Sequence, residues 1–359
     1  MSKFGRRSLL AGLGAAAVGI SFAGLSGCTK PAGKGGKTIN FYNWDTYIGD
    51  TTLADFQTAS GIKVNMSIFA TNDELFAKIK TGNSGFDVIV PSNDFVTYMS
   101  QADLLLPLDH AKIPNLKNVD PAFMDPIYDP GRKFSVPYTW LVLGIGYRKS
   151  AMKGGAVPDS WKWLLDSDQY KGRIALLSES GDLMRLGAKY LGHSVNGISE
   201  DVLKQVEAML IKQKPNVKAF HSDDGQDMLM SKEVDIVMEY NGDIAQVMKE
   251  DPDLGFVVPK EGSQLNSDCL AIPKDSKNPE EAHAFINYIL DAQAGAKIYE
   301  QILYPTPNAA AKALMPDDYK NNPVIFPPAD VMAKCEYAAF EGPERAQVYD
   351  AAMTRIKAS

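Results

Sequence analysis

The sequence predicts an α/β protein in two parts, and three observations lead there. Short apolar runs alternate with helical patterns from Thr38 onward. The alternation stops at one long extended run, Ser135 to Tyr147, and a second alternating series follows it. Strands of about five residues separated by helices make a parallel sheet with helical crossovers. A long strand between two such series is a candidate crossing between two domains. An apolar content of 45% with 23% charged residues suits a globular body.

In order, Thr38 to Tyr42 is a short apolar strand. Asp50 to Ala59 has helical spacing behind an Asp cap. Lys63 to Ile68 reads as a strand, and Asn72 to Lys80 as a helix capped by Asn72. Phe86 to Val90 is a buried strand, and Asp94 to Ala102 a helix. The run Ser135 to Tyr147 is rich in Gly and aromatics. The second series has strands near Ile174–Leu177, Val217–His221, Val234–Glu239 and Gly255–Val258. Its helices include Asp182 to Leu191 and Glu200 to Gln213. Ser267 to Ile272 is strand-like and is expected to return to the first part. Glu280 to Leu290 and Ala292 to Glu300 are strongly helical. No internal repeat or low-complexity block interrupts this body.

The amino terminus reads as an address. Arg6 and Arg7 precede an uncharged stretch from Ser8 to Gly27, closed by Leu25-Ser26-Gly27-Cys28. This resembles a twin-arginine export signal joined to a lipoprotein cleavage box, with residues 1–27 removed and Cys28 lipidated. The stretch is long enough to span a bilayer, but its Gly and Ala content makes a poor lipid-facing helix. Residues 28–37 are Gly-, Pro- and Lys-rich, a flexible tether. Gly36-Lys37-Thr38 imitates the end of a phosphate-binding loop, but the first glycine would fall at Pro31 and no strand precedes it. A lipid-anchored, exported protein is expected, which excludes most functions that need ATP or cytosolic partners.

Losing Lys3, Arg6 and Arg7 with the leader takes the formal charge from −7 to −10. With no basic stripe, nucleic acid is not an expected partner. Cys269 and Cys335 could pair in an oxidising compartment, although two free thiols are the expected state. His110, His193, His221 and His283 are dispersed without metal-ligand spacing, and neither metal nor cofactor is expected.

Enzyme signatures are scarce: the chain has no Gly-x-Ser-x-Gly elbow and no His-Glu-x-x-His pair. Aromatics and carboxylates gather instead at the carboxyl ends of the expected strands. Trp44, Asp45 and Tyr47 follow the first strand, and Ser92 and Asp94 follow Val90-Pro91. Asp182 opens the helix after Ile174–Leu177, Ser222 and Asp223 follow Val217–His221, and Tyr240 and Asp243 follow Val234–Glu239. Ligands of open α/β sheets bind at such strand ends. Each residue also has a plainer role, since the aspartates and Ser92 could cap helices and the aromatics could pack. Taken together they fit a flexible chain with ammonium ends. Each buried ammonium needs a carboxylate, and indole and phenol faces attract cations and cover methylenes. A sugar site would mix in more Asn, Gln and Arg, and an amino-acid carboxylate would want an Arg.

At this point a family resemblance enters. Phe41-Tyr42-Asn43-Trp44-Asp45-Thr46-Tyr47-Ile48, Phe86-Asp87-Val88-Ile89-Val90-Pro91-Ser92, Tyr240-Asn241-Gly242-Asp243 and Pro259-Lys260-Glu261-Gly262 resemble the periplasmic spermidine/putrescine-binding proteins of ABC importers. Tyr304-Pro305-Thr306-Pro307-Asn308 and Phe326-Pro327-Pro328-Ala329-Asp330 agree, so the likeness runs from about Thr38 to Lys357. It implies a two-lobed periplasmic-binding-protein fold of type II, with crossing strands at a hinge. The lobes would comprise residues 38–143 with 267–315, and 144–266 with 316–359. A polyamine, spermidine or putrescine, would lie in the cleft of a monomer and be passed to an inner-membrane ABC permease. The same resemblance carries ligand roles to Trp44, Tyr47, Ser92, Asp182, Ser222, Asp243, Asp268 and Tyr304. Asp268 weighs most, because a carboxylate inside the apolar strand Ser267–Ile272 is hard to explain unless it faces a cleft.

Four positions depart from the family pattern. Tyr240 stands where members place Trp, and Asn266 where they place Trp or Phe. Asp45 replaces a usual Ser or Thr, and Asp94 a Tyr of some members. The cleft is then less aromatic and more acidic, which favours spermidine over putrescine. Another organic cation or a basic amino acid is the alternative ligand. A secreted enzyme and a sensory receptor are the remaining alternatives.

Overall fold

The computed structural model describes residues 37–359. The expected export leader, Cys28 and all of the expected tether but Lys37 lie outside the described residues. Ten strands form one sheet: β1 (Thr38–Asn43), β2 (Lys63–Ile68), β3 (Val88–Ile89), β4 (Ser135–Arg148), β5 (Ile174–Leu177), β6 (Val217–His221), β7 (Ile236–Tyr240), β8 (Leu254–Val257), β9 (Gln264–Ala271) and β10 (Glu336–Tyr337). The order β2-β1-β3-β9-β4-β7-β5-β6 has β8 added to β4 and β10 to β9.

The expected parallel sheet exists as two parallel halves. In one, β1 pairs with β2 and β3; in the other, β5 pairs with β6 and β7. Two antiparallel strands join them. Residues 135–142 of β4 pair with β9, while residues 143–148 turn to β7 and β8. β9 reaches back to β3 through Ile89 and Ala271. The long run read from the sequence is thus one continuous strand shared by both halves. Its glycines are positional: a Cβ at Gly144 would fall 2.3 Å from the Phe256 ring, and one at Gly146 2.6 Å from Ile244. Glycine inside a strand marks such close approaches.

Each half has its own core. Phe41, Val88, Tyr138, Leu270, Phe285 and Tyr299 centre the first. Leu143, Trp161, Leu176, Leu186, Val206 and Met238 centre the second. The first half is also covered on its other face by helices Asn72–Lys80 and Asn93–Gln101, through Leu75, Ile79, Val96 and Met99. Burial on both faces explains why residues 88–90 read as a continuous apolar run rather than an alternating one. The carboxy-terminal helix Pro343–Ala358 returns to the second core with Tyr349, Met353 and Ile356. The stretch 316–325, expected with the second lobe, instead places Tyr319, Val324 and Ile325 in the first core.

Local boundaries shift for identifiable reasons. The helix expected behind Asp50 is Thr52–Ser60, closed by Gly61 in the left-handed region. The cap of Asn72–Lys80 is Thr71, which accepts from the Glu74 amide. Asn72 turns inward to bond Ser92 instead. Cys269 and Cys335 are free thiols. Among the described residues, no helix is long and apolar enough to cross a membrane.

Candidate functional site

The carboxyl end of β1 supplies the first wall. Trp44 is anchored by an indole N–H to the Val90 carbonyl at 2.9 Å. Its ring packs on Phe69. Thr46 takes a positive φ of 47°, and the turn is fixed by Asn43 Nδ2 and Tyr138 Oη, both donating to the Tyr47 carbonyl. This holds the Tyr47 hydroxyl on Asp268 Oδ2 at 2.8 Å, beside Thr139 Oγ1.

Asp268 lies on β9 and is 4% exposed. Its other oxygen accepts from Ser92 Oγ at 2.7 Å, and Ser92 in turn is gripped on both sides by the Asn72 amide. Burial pushes the Asp268 carboxyl up to about 6, against the pull of the Ser92 and Tyr47 hydrogen bonds. Across the cleft, Asp243 sits in the first turn of Asn241–Met248, after β7, and accepts from Tyr304 Oη at 2.5 Å. Gly242 lets that ring approach, since a Cβ there would lie 2.2 Å from it. Burial, reinforced by Asp268 and Asp45, raises Asp243 to about 7 even with the Tyr304 bond. Asp223 is raised well above the usual carboxylate range by burial, then by Asp243, Glu239, Asp45 and Asp268.

These groups surround one cleft of about 330 Å³, lined by Trp44, Asp45, Tyr47, Ser92, Leu141, Asp223, Tyr240, Asp243, Asp268 and Tyr304. Its lining holds four carboxylates and no Lys or Arg. The Tyr47 and Ser92 hydroxyls bond Asp268, the Tyr304 hydroxyl bonds Asp243 and the Thr46 amide bonds Asp45, which satisfies lone pairs without neutralising charge. Asp223, Asp243 and Asp268 are raised by burial while Asp45 is exposed, and a largely desolvated acidic set of this kind favours a cation.

Three expected residues lie elsewhere. Asp94 and Asp182 line an adjoining chamber of about 660 Å³, which touches the cleft at Ser92. There Arg185 Nη1 stands 3.4 Å from Asp94 Oδ2 and 3.8 Å from Asp182 Oδ1. Asp182 also accepts from Tyr240 Oη at 2.7 Å and Gln264 Nε2 at 2.5 Å. Ser222 is exposed, faces Ser178 Oγ at 3.3 Å and opens onto an outer depression instead of the cleft. Its neighbour Asp223 takes the place on the wall. Both follow β6 directly, and only the path of the turn decides which points inward.

The sequence reading also passed over Glu239 and His221, which lie behind Asp223. His221 Nδ1 and Glu239 Oε2 face each other at 3.6 Å, and neither has a hydrogen-bond partner. Burial lowers His221 to about 4 and raises Glu239 well above its ordinary value. Glu239 was readable as the acid that ends a strand.

The profile of bacterial extracellular solute-binding proteins matches residues 51–327. The chain belongs to that family. Among such solute-binding proteins it is 35% identical over 327 residues to the spermidine/putrescine-binding periplasmic protein 1 of Haemophilus influenzae, covering 90% of this chain and 89% of that one. It is 32% identical over 338 residues to the putrescine-binding periplasmic protein PotF of Escherichia coli, covering 89% and 91%. Its fold superposes on the spermidine/putrescine ABC transporter substrate-binding protein PotD of Streptococcus pneumoniae with a TM-score of 0.77. That match has 32% identity and covers 90% of this chain and 99% of the other. The two-lobed fold expected from the motifs is that of this solute-binding family.

Proposed function

We infer that this solute-binding protein is an extracytoplasmic receptor for a small aliphatic polyamine, which it carries to an ABC permease without chemical change. The carrying observation is the cleft's four carboxylates, Asp45, Asp223, Asp243 and Asp268, none of which has an internal cation partner among the described residues. One ammonium seats on Asp268 and the other on Asp243 and Asp223, while Trp44, Tyr47, Tyr240 and Tyr304 face the methylenes. The named specificities of the relatives support this reading. A basic amino acid fits less well, because the lining offers no Arg for its carboxylate.

Asp268 belongs to the strand paired with β3, and Asp243 follows β7 in the other half. A bound diamine therefore ties the two lobes together, and β4 with β9 supplies the hinge. The export leader supports lipidation at Cys28, which would hold this monomeric receptor at a membrane surface by a flexible tether.

The test is a thermal-shift and calorimetric panel of putrescine, cadaverine, spermidine, lysine and arginine, since a ligand bound only by the folded state raises the melting temperature. Polyamines should raise it and release binding heat at one site. A shift with lysine or arginine alone, or conversion of a polyamine into product, would overturn the reading.

A further inference from the structure

The acid count that favours spermidine leaves out Arg185. This residue is on the helix Ser180–Tyr190 of the second half, and its side chain is 7% exposed. Its Nη1 lies between Asp94, on the first-half helix Asn93–Gln101, and Asp182. Its Nη2 donates to the Ala339 carbonyl at 3.0 Å, and its Nε has no partner. The guanidinium thus stands just past the wall of the cleft, because Tyr240 of that wall bonds the same Asp182.

We propose that Arg185 determines chain length in this receptor: it holds the place of a third ammonium, so the cleft prefers a diamine to a triamine. This rests on the polyamine reading above. A diamine finds its carboxylates within the cleft. A longer amine must leave it by Ser92, which lines both spaces, and its third charge then meets Asp94 and Asp182 already sharing Arg185. Like charges competing for the same two carboxylates repel strongly where water is scarce.

The other acids of the chamber do not offset this. Burial, and then Asp182, Asp73 and Asp94, raise the Glu179 carboxyl well above its ordinary value, which weakens it as a partner for a cation. Glu341 is bonded to the Gly197 amide and Tyr349 hydroxyl, and Asp350 to the Ser180 hydroxyl. Asp73 is exposed to solvent, which screens it.

The experiment titrates the full mature chain at pH 8 with putrescine and with spermidine, and reads the ratio of the two affinities. The unaltered chain should favour putrescine by about tenfold or more. Arg185→Gln should narrow that gap to about threefold or reverse it, while Arg185→Lys should keep it. Should Arg185→Gln fail to fold, Asp94→Asn decides, because it leaves Arg185 less compensated and must widen the gap. An unaltered chain preferring spermidine, a ratio unmoved by Arg185→Gln, or a gap narrowed by Asp94→Asn would each overturn the proposal. Failure of the unaltered chain to bind either amine would instead defeat the polyamine reading beneath it.

Discussion

The cleft and its neighbouring chamber are built from the same acidic and aromatic residue types, yet they differ in one respect. In the cleft, Asp243 and Asp268 accept only hydroxyl hydrogens. In the chamber, Asp94 and Asp182 face a buried guanidinium. The first arrangement leaves a charge deficit that a ligand can fill, and the second has filled it from within. Counting acids along the chain would treat the two alike. What distinguishes a binding position is a buried carboxylate whose partners are all neutral.

The largest expected effect breaks the comparison directly. Asp268→Asn should weaken putrescine binding by about 30-fold or more and Asp243→Asn by about tenfold, as for removal of a desolvated charge partner. Affinities that change less than twofold by calorimetry would place the ligand elsewhere.

A pH series sharpens the contrast. Asp268 and Asp243 titrate at about 6 and about 7 without ligand, and a cation binds their ionised forms. Affinity should therefore fall about tenfold from pH 8 to about pH 6.2, with proton release on binding near neutral pH. Both folded-state values exceed the ordinary 3.8, so the ligand-free fold binds more protons than the unfolded chain between about pH 4 and pH 7. These two groups therefore stabilise the ligand-free protein at low pH, and that contribution fades as pH rises through 7. The ligand-induced rise in melting temperature should accordingly be greatest at pH 8, and a flat profile from pH 5.5 to 8 would contradict the assignment. The smallest effect is the control: Ser222→Ala should leave putrescine affinity within about twofold, since the hydroxyl is outside the cleft.

Much of the architecture was legible because burial leaves a simple mark on composition. The apolar runs of β1, β3 and β5 and the length of β4 gave both halves and their connection. The antiparallel setting of β4 and β9 was not legible, because strand direction depends on which partner the chain returns to. Caps moved by a residue where a side chain had a better use inside, as Asn72 does on Ser92. In the site, Asp268 stood out as an acid in an apolar strand, and Tyr47, Asp243 and Tyr304 followed from the motifs. Arg185 was silent because its helical spacing from Asp182 reads as an ordinary surface pair. Only tertiary packing brings Asp94 to it.

The Tyr47–Asp268–Ser92 linkage carries a mechanical consequence. Asp268 is part of a strand that crosses between the halves, whereas Asp243 opens the helix that follows β7. On the polyamine reading proposed above, a first ammonium would dock on the strand common to both halves, and the work of drawing the halves together would fall to the second. An amine with one charged end would then lodge in the cleft without closing it.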